Sequence, residues 1–118
     1  MAAFHRLSKT PERVASDPVR SADDWADAHA GFHAALVEGA DSPWLLRLHA
    51  QLYAQSERYR RLSIPLGSTD RDVDGEHRQI MEAVLARNAE RALGLMRRHI
   101  GATTSILLKA DMPADLDL

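Results

Sequence analysis

The sequence predicts an all-α protein, an antiparallel helical bundle, and three observations predict it. Apolar residues recur at the i, i+3, i+4 and i+7 spacing of a helix face along most of the chain. The breaks between these rows carry helix-end chemistry, such as Ser42-Pro43 before one row and Asn88 between two others. No stretch alternates apolar and polar residues as a half-buried strand does. A chain of 118 residues has the length for one core of several helices and not for two.

In chain order, Ala2 to Leu7 reads as the end of a helix, and the abrupt start at Met1 suggests a truncated domain. Thr10-Pro11 and Asp17-Pro18 bracket a loop, because a residue before proline is pushed out of the helical region. Ser21 is a good N-cap for the next helix, with Asp23 and Asp24 in its first turn to meet the helix dipole. Its inward row is Trp25, Ala28, His29, Phe32, His33, Leu36 and Val37. His29 and His33 lie one turn apart on one face, an arrangement that supplies two nitrogen ligands to a transition metal in many proteins.

Gly39 and Asp41 close that helix, and Ser42-Pro43 opens a third in N-cap then N1 order. Its inward row begins with Leu45, Leu48, His49 and Leu52 and turns polar at Gln55, Ser56 and Tyr59. A face that changes character in this way suits the wall of a wet pocket, or equally a helix whose last turns emerge into solvent. Arg58, Arg60 and Arg61 add a positive field at the same end. Ser63 to Gly75 reads as an exposed connection, with Asp72 or Asp74 capping the helix that follows.

The stretch from Glu76 to His99 holds two more helices joined at Arg87-Asn88-Ala89-Glu90, where the apolar period breaks into a turn. The first presents His77, Ile80, Met81, Val84 and Leu85. The second presents Ala92, Leu93, Met96, His99, Ile100, Thr103, Ile106 and Leu107. Both histidines therefore face the core. An antiparallel pair is expected to put them toward opposite ends, unless a third element lies near both or the helices cross steeply. The tail from Lys109 to Leu118 is acidic, interrupted by Pro113, and expected to fray or to lie on the surface.

Composition removes several function classes. Hydrophobic residues at 45% and charged residues at 27% give the balance of a folded domain rather than a disordered one. The formal net charge of −2 gives no electrostatic reason to bind nucleic acid or an anionic membrane. The chain has no cysteine, so disulfides, thiolate metal sites and cysteine nucleophiles are excluded together, as suits a cytoplasmic protein. No phosphate-binding glycine loop, HExxH or G-x-S-x-G motif is present, and Glu76 adjoins His77 instead of preceding it by three, so the Glu-x-x-His pattern of di-iron bundles is not met.

The string FHAALVEGADSPWLLRL, followed after a loop by EHRQIMEAVLARNAERALGLMRRHI, resembles the FCD-type effector-binding domain of GntR-family bacterial transcriptional regulators. The resemblance runs from about Asp24 to Leu107. It rests on the family's D-x-x-F-H signature helix, here His29-Ala30-Gly31-Phe32-His33, then a later E-H-x-x-I and a closing His-Ile, in that order. It implies that His33, His77 and His99 are metal ligands and that His29 occupies the position of the family's aspartate ligand. The site would then be all nitrogen and one negative charge poorer than usual.

What the resemblance implies for the whole chain follows. Residues 1–20 are expected as a remnant helix and loop, 21–108 as the metal- and effector-binding helical domain, and 109–118 as an acidic tail. His29, His33, His77 and His99 would hold a divalent transition metal, with zinc first and nickel second, since imidazole nitrogen suits these better than Mg²⁺ or Ca²⁺. Gln55, Ser56 and Tyr59 would contact a small carboxylate effector. The chain would bind no DNA itself, because the family's N-terminal winged helix is missing, and its exposed apolar surface would make it a homodimer. It would not be an enzyme. The rival readings are a structural or dimerisation module without metal and a small metal-dependent hydrolase. The hydrolase needs a carboxylate base on an inward row, where none is found.

Overall fold

The sequence marks five helical stretches, and the computed structural model, which describes residues 1–10, 16–64 and 71–109, places a helix at each. They are α1 (Ala2–Lys9), α2 (Pro18–Val37), α3 (Pro43–Ser63), α4 (Val73–Leu85) and α5 (Ala89–Lys109). Among the described residues there is no strand. The helix starting at α2 begins three residues earlier than Ser21. Asp17 caps it, accepting from the Arg20 amide at 3.1 Å, and Pro18 follows in the first turn. The Asp-Pro pair that reads as a loop boundary is thus a cap followed by a proline whose φ already suits a helix. Ser21 lies inside the helix and is buried.

The other caps are as expected. Ser42 accepts from the Leu45 amide at 3.3 Å, and Asp72 accepts from the Gly75 amide at 2.9 Å. Gly75 is required there, because a Cβ would collide with the capping Asp72 carboxylate. Between α4 and α5, Arg87 takes the left-handed conformation at φ 56° and Asn88 caps α5 through the Arg91 amide at 3.1 Å. The Asn88 and Arg87 amides close onto the Ala83 and Val84 carbonyls at 2.9 and 3.0 Å, which satisfies the last turn of α4.

α4 and α5 form an antiparallel hairpin, α1 packs on α2 and meets α4, and α3 lies chiefly against α5. Two small apolar clusters hold this together. Phe4, Leu7, Trp25, Ala28 and Phe32 form one, joined by Val73 and Met81; Ile80, Ala83 and Leu95 form the other, joined by Val84, Ala92 and Met96. Leu36 touches both. α1 therefore shares a core with α2 through Phe4 and Leu7.

Three expectations about facing are corrected. Leu45, Leu48 and Leu52 of α3 are exposed, Leu52 by 60%, and Trp44 beside them by 63%. The side of α3 turned inward is instead the half-buried row Leu46, His49, Tyr53, Glu57 and Arg60. On α5, Leu93 and Ile100 are exposed and Leu95 is buried, so the inward row is Ala92, Leu95, Met96 and His99. With Leu93, Leu95 and Met96 all apolar, the helical period fits either row. Leu85 at the end of α4 is exposed as well. The tail from residue 110 and the connection at 65–70 lie outside the described residues.

A candidate metal centre of four histidines

α2 contributes His29 and His33, α4 contributes His77, and α5 contributes His99; all four are buried. Each turns an Nε2 to the same point. His33 Nε2 lies 3.1 Å from His29 Nε2, His29 Nε2 lies 3.1 Å from His77 Nε2, and His77 Nε2 lies 3.1 Å from His99 Nε2. All four ligand-type atoms fall within 4.8 Å of one another. The expected opposite-ends placement of His77 and His99 is wrong, for a simple reason. In an antiparallel hairpin, level is set by distance from the turn. His77 is ten residues before Arg87 and His99 twelve after it (87 − 77 and 99 − 87), so the two rings sit side by side.

Hydrogen bonding does not account for this cluster. A ring nitrogen carries either one hydrogen or one in-plane lone pair, so it makes one good hydrogen bond. His29 Nε2 and His77 Nε2 each have two neighbours at 3.1 Å. Whatever the tautomers, three contacts cannot all be hydrogen bonds. A cation that accepts all four lone pairs removes the conflict, and metal–nitrogen bonds of ~2.1 Å give ligand–ligand edges of ~3.0 to ~3.4 Å. The donor set fits a divalent transition metal.

Two of the four rings are braced from behind. His99 Nδ1 lies 2.7 Å from Glu76 Oε1, and a carboxylate can only accept, so Nδ1 carries the hydrogen and Nε2 the lone pair. Arg71 holds Glu76 through two bonds, Nε to Oε2 at 2.9 Å and Nη2 to Oε1 at 2.8 Å. The same guanidinium donates to the His99 carbonyl at 2.9 Å and to Thr103 Oγ1 at 3.2 Å. On the other side, His29 Nδ1 lies 2.7 Å from the Tyr53 hydroxyl, which donates to Glu57 Oε1 at 3.3 Å. Glu57 Oε1 is itself 3.5 Å from His29 Nδ1 and accepts from Arg60 Nε at 2.8 Å. Trp25 stacks on His29 with centroids 4.5 Å apart and planes at 17°, and Phe32, fully buried, packs against the His33 and His77 rings.

Electrostatics favour the ligand form of the rings. Burial, then the neighbouring His29, His99 and His49, lower His33 to about 3. Burial, then His99, His29 and His33, lower His77 to about 2. His99 is lowered by burial despite Glu76 pulling the other way. Burial raises Glu57, but hydrogen bonds from His29 and Arg60 and their charges outweigh it, and its carboxyl falls to about 2. Glu76 is lowered too: burial opposes, and Arg71 and His99 prevail. At neutral pH His33, His77 and His99 offer lone pairs, and both carboxylates are ionised.

The four sequence-predicted ligands are therefore brought together, and the predicted effector contacts are not. Gln55 and Ser56 are exposed, with Ser56 Oγ bonded to the Tyr53 carbonyl of its own helix, and Tyr59 is half-buried. Tyr53 and Glu57 are the α3 residues that reach the cluster. Tyr53-x-x-x-Glu57 was readable as one helix face, but only the inverted facing of α3 gives it meaning. Carboxylates do stand beside the site, contrary to the expectation of none, yet Glu57 and Glu76 are both engaged with an arginine and a histidine Nδ1. Two cavities border the histidines, one of about 150 Å³ lined by Leu7, Trp25, Val73, Asp74 and His77, the other of about 210 Å³ lined by Glu76, Gln79, Leu95, Arg98 and His99. No helix of the described residues is long and apolar enough to cross a membrane.

Comparison with known proteins gives a consistent picture. The family model of the FCD domain matches residues 2–102. The uncharacterized HTH-type transcriptional regulator BphR of Paraburkholderia xenovorans is 39% identical over 107 residues, covering 91% of this chain and 44% of the relative. The HTH-type transcriptional repressor GlaR of Escherichia coli is 33% identical over 114 residues, covering 93% and 51%. The chain spans about half the length of the curated relatives it matches. No solved structure gives a significant match.

Proposed function

Because the chain belongs to the FCD-domain family of GntR-type transcriptional regulators, we propose that its effector domain works by holding a divalent transition metal on His29, His33, His77 and His99 and admitting a small carboxylate beside it. The observation that carries the reading is the set of three 3.1 Å Nε2 contacts that hydrogen bonds alone cannot satisfy. Zinc is the first candidate and nickel the second, since imidazole nitrogen suits both. A bound ion supplies a positive centre for a carboxylate oxygen, and its four neutral ligands leave that charge uncancelled among themselves.

The chain's own residues would do the rest. His33, His77 and His99, kept neutral by burial, offer lone pairs without first losing a proton. Arg71–Glu76 and Tyr53–Glu57 hold two of the rings in register. The half-buried His49 and Tyr53 of α3 supply hydrogen-bonding groups beside the cluster, a wall for which Gln55 and Ser56 are too exposed. The cavities of about 150 and 210 Å³ favour a ligand of a few heavy atoms. DNA binding would belong to a linked helix-turn-helix module like that named in both relatives, in the cytoplasm where operators are read. Trp44, Leu45, Leu48 and Leu52, exposed along α3, support pairing with a second copy.

The test is elemental analysis of protein purified without chelator, followed by calorimetry with a panel of mono- and dicarboxylates on metal-loaded wild type and on His77→Ala. About one metal per chain is expected, with an acid that binds the loaded wild type at least about tenfold tighter than the variant. Metal-free protein that also takes up no zinc or nickel refutes the metal reading. Equal acid binding by both proteins refutes the metal as anchor.

A further inference from the structure

α3 supplies none of the four ligands, yet it closes a circuit around one of them. Tyr53 Oη lies 2.7 Å from His29 Nδ1 and 3.3 Å from Glu57 Oε1, a carboxylate oxygen that can only accept its hydrogen. Glu57 is fixed by Arg60 at 2.8 Å, the Arg60 guanidinium lies over the Trp25 ring 4.7 Å from its centroid, and Trp25 stacks on His29. His29 is thus clamped on its face by α2 and at its rear nitrogen by α3. Among the described residues, His33 and His77 have no such partner at Nδ1. Glu57 Oε2 is sealed from solvent and has no hydrogen-bond partner among the described residues, with Arg61 Nε 3.9 Å away. Glu57 as a whole is part-buried, and Arg60 and His29 hold it ionised. Its contact toward the cluster runs through Tyr53 to His29.

We infer that Tyr53 and Glu57 are positioning residues which make His29 a metal ligand, so that α3 is tied to the metal centre through them. The inference rests on the proposed metal site and adds a specificity device to it. Where the resemblance implies a carboxylate directly on the metal, this chain places an imidazole there and sets the carboxylate one residue further back, on another helix. With the Tyr53 hydrogen given to Glu57, the His29 Nδ1 hydrogen goes to Tyr53, which leaves the Nε2 lone pair for the ion. A ring free to turn would lose both that tautomer and the aim. Metal binding should then tighten α3 itself, although no α3 atom touches the ion.

The experiment uses the full chain, stripped of metal and titrated with Co²⁺ under a competing chelator, with the visible ligand-field band reporting coordination and hydrogen exchange reporting α3. Wild type, Glu57→Gln, Tyr53→Phe, His29→Ala and His29→Ala/Glu57→Gln are compared, with Gln51→Ala as an exposed α3 control. Glu57→Gln and Tyr53→Phe are expected to weaken Co²⁺ binding about 10- to 100-fold, and Glu57→Gln to add less than about threefold on the His29→Ala background. Metal should slow amide exchange across residues 43–63 in wild type and in Gln51→Ala, and not in Glu57→Gln. Wild type that binds Co²⁺ while both single variants bind it as tightly overturns the inference and leaves the metal site standing. An equal loss from Glu57→Gln with and without His29 also overturns it. Wild type that binds neither Co²⁺ nor Zn²⁺ overturns the metal site and this inference with it. Tyr53→Phe preserves the ring and keeps the test decisive should Glu57→Gln fold poorly.

Discussion

Acidifying the metal-free chain should unfold it from an unusually high pH. The ordinary histidine value is 6.5, and in the fold His33 sits at about 3 and His77 at about 2. Below 6.5 the unfolded chain takes up protons that these buried rings refuse, so stability falls as pH falls, from 6.5 down toward the folded values. At pH 5 each ring has cost about 2 kcal/mol relative to pH 7, hence about 4 kcal/mol for the pair. His99, also lowered, acts in the same direction. Glu57 and Glu76 stay ionised in both states over most of this window and add their loss only nearer the ordinary carboxylate value of 4.5. Against a total of roughly 5 to 15 kcal/mol for a small domain, this is a large fraction. Urea unfolding followed by circular dichroism should show the midpoint fall by about 2 M between pH 7 and 5, with an m-value near ~2 kcal/mol/M. His77→Leu should remove about half of that slope. Metal should hold the midpoint up to a lower pH, because protons must then displace it. A metal-free midpoint that moves by less than about 0.5 M over the interval would refute the reasoning.

Two further outcomes can be read from packing. Phe32 is fully buried between Phe4 and the rings of His33 and His77, so Phe32→Ala should destabilise by about 3 to 5 kcal/mol and weaken metal uptake, both measurable by thermal melts with and without zinc. Gly94 and Gly75 make a paired test of local structure. A Cβ on Gly94 meets nothing within 4 Å, and Gly94→Ala should stabilise α5 by roughly 0.5 to 1 kcal/mol. A Cβ on Gly75 displaces the Asp72 cap, so Gly75→Ala should lose about 1 kcal/mol of capping and show no net gain in melting temperature.

The clustering of the four histidines was legible because they lie on helix faces. A period of 3.6 residues places His29 with His33, and the same period turns His77 and His99 inward, whatever the details of packing. The caps at Ser42, Asp72 and Asn88 were legible because each is a local event within three residues. The facing of α3 was not, because a hydrophobic row normally marks the buried side. Here Leu48 and Leu52 point outward, since the polar row His49, Tyr53 and Glu57 is needed at the histidines. The second brace was hidden for a different reason. Glu76 adjoins one histidine in sequence and serves another, His99, across the hairpin, and adjacency along a helix says little about which side chain lies opposite on its neighbour. Arg71, at the edge of an ordinary-looking connection, carries no sequence signal at all.

On the proposed reading, the placement of the four histidines would let an ion act on the whole bundle. The two apolar clusters are small, and Leu36 packs against both. The ligands come from α2, α4 and α5, so an ion would clamp α2 to the hairpin at the level where α3 is attached through Tyr53 and Glu57. Anything that binds only the folded arrangement stabilises it by mass action, about 4 kcal/mol when present at a thousand times its dissociation constant. The same quantity, about 4 kcal/mol, is what the metal-free cluster loses on going from pH 7 to 5. An ion held by these four rings would therefore stabilise the bundle, and protons taken up by them would weaken it. On the same proposed reading, a ligand that changed how the ion is held would be felt at α3 through Tyr53 and Glu57.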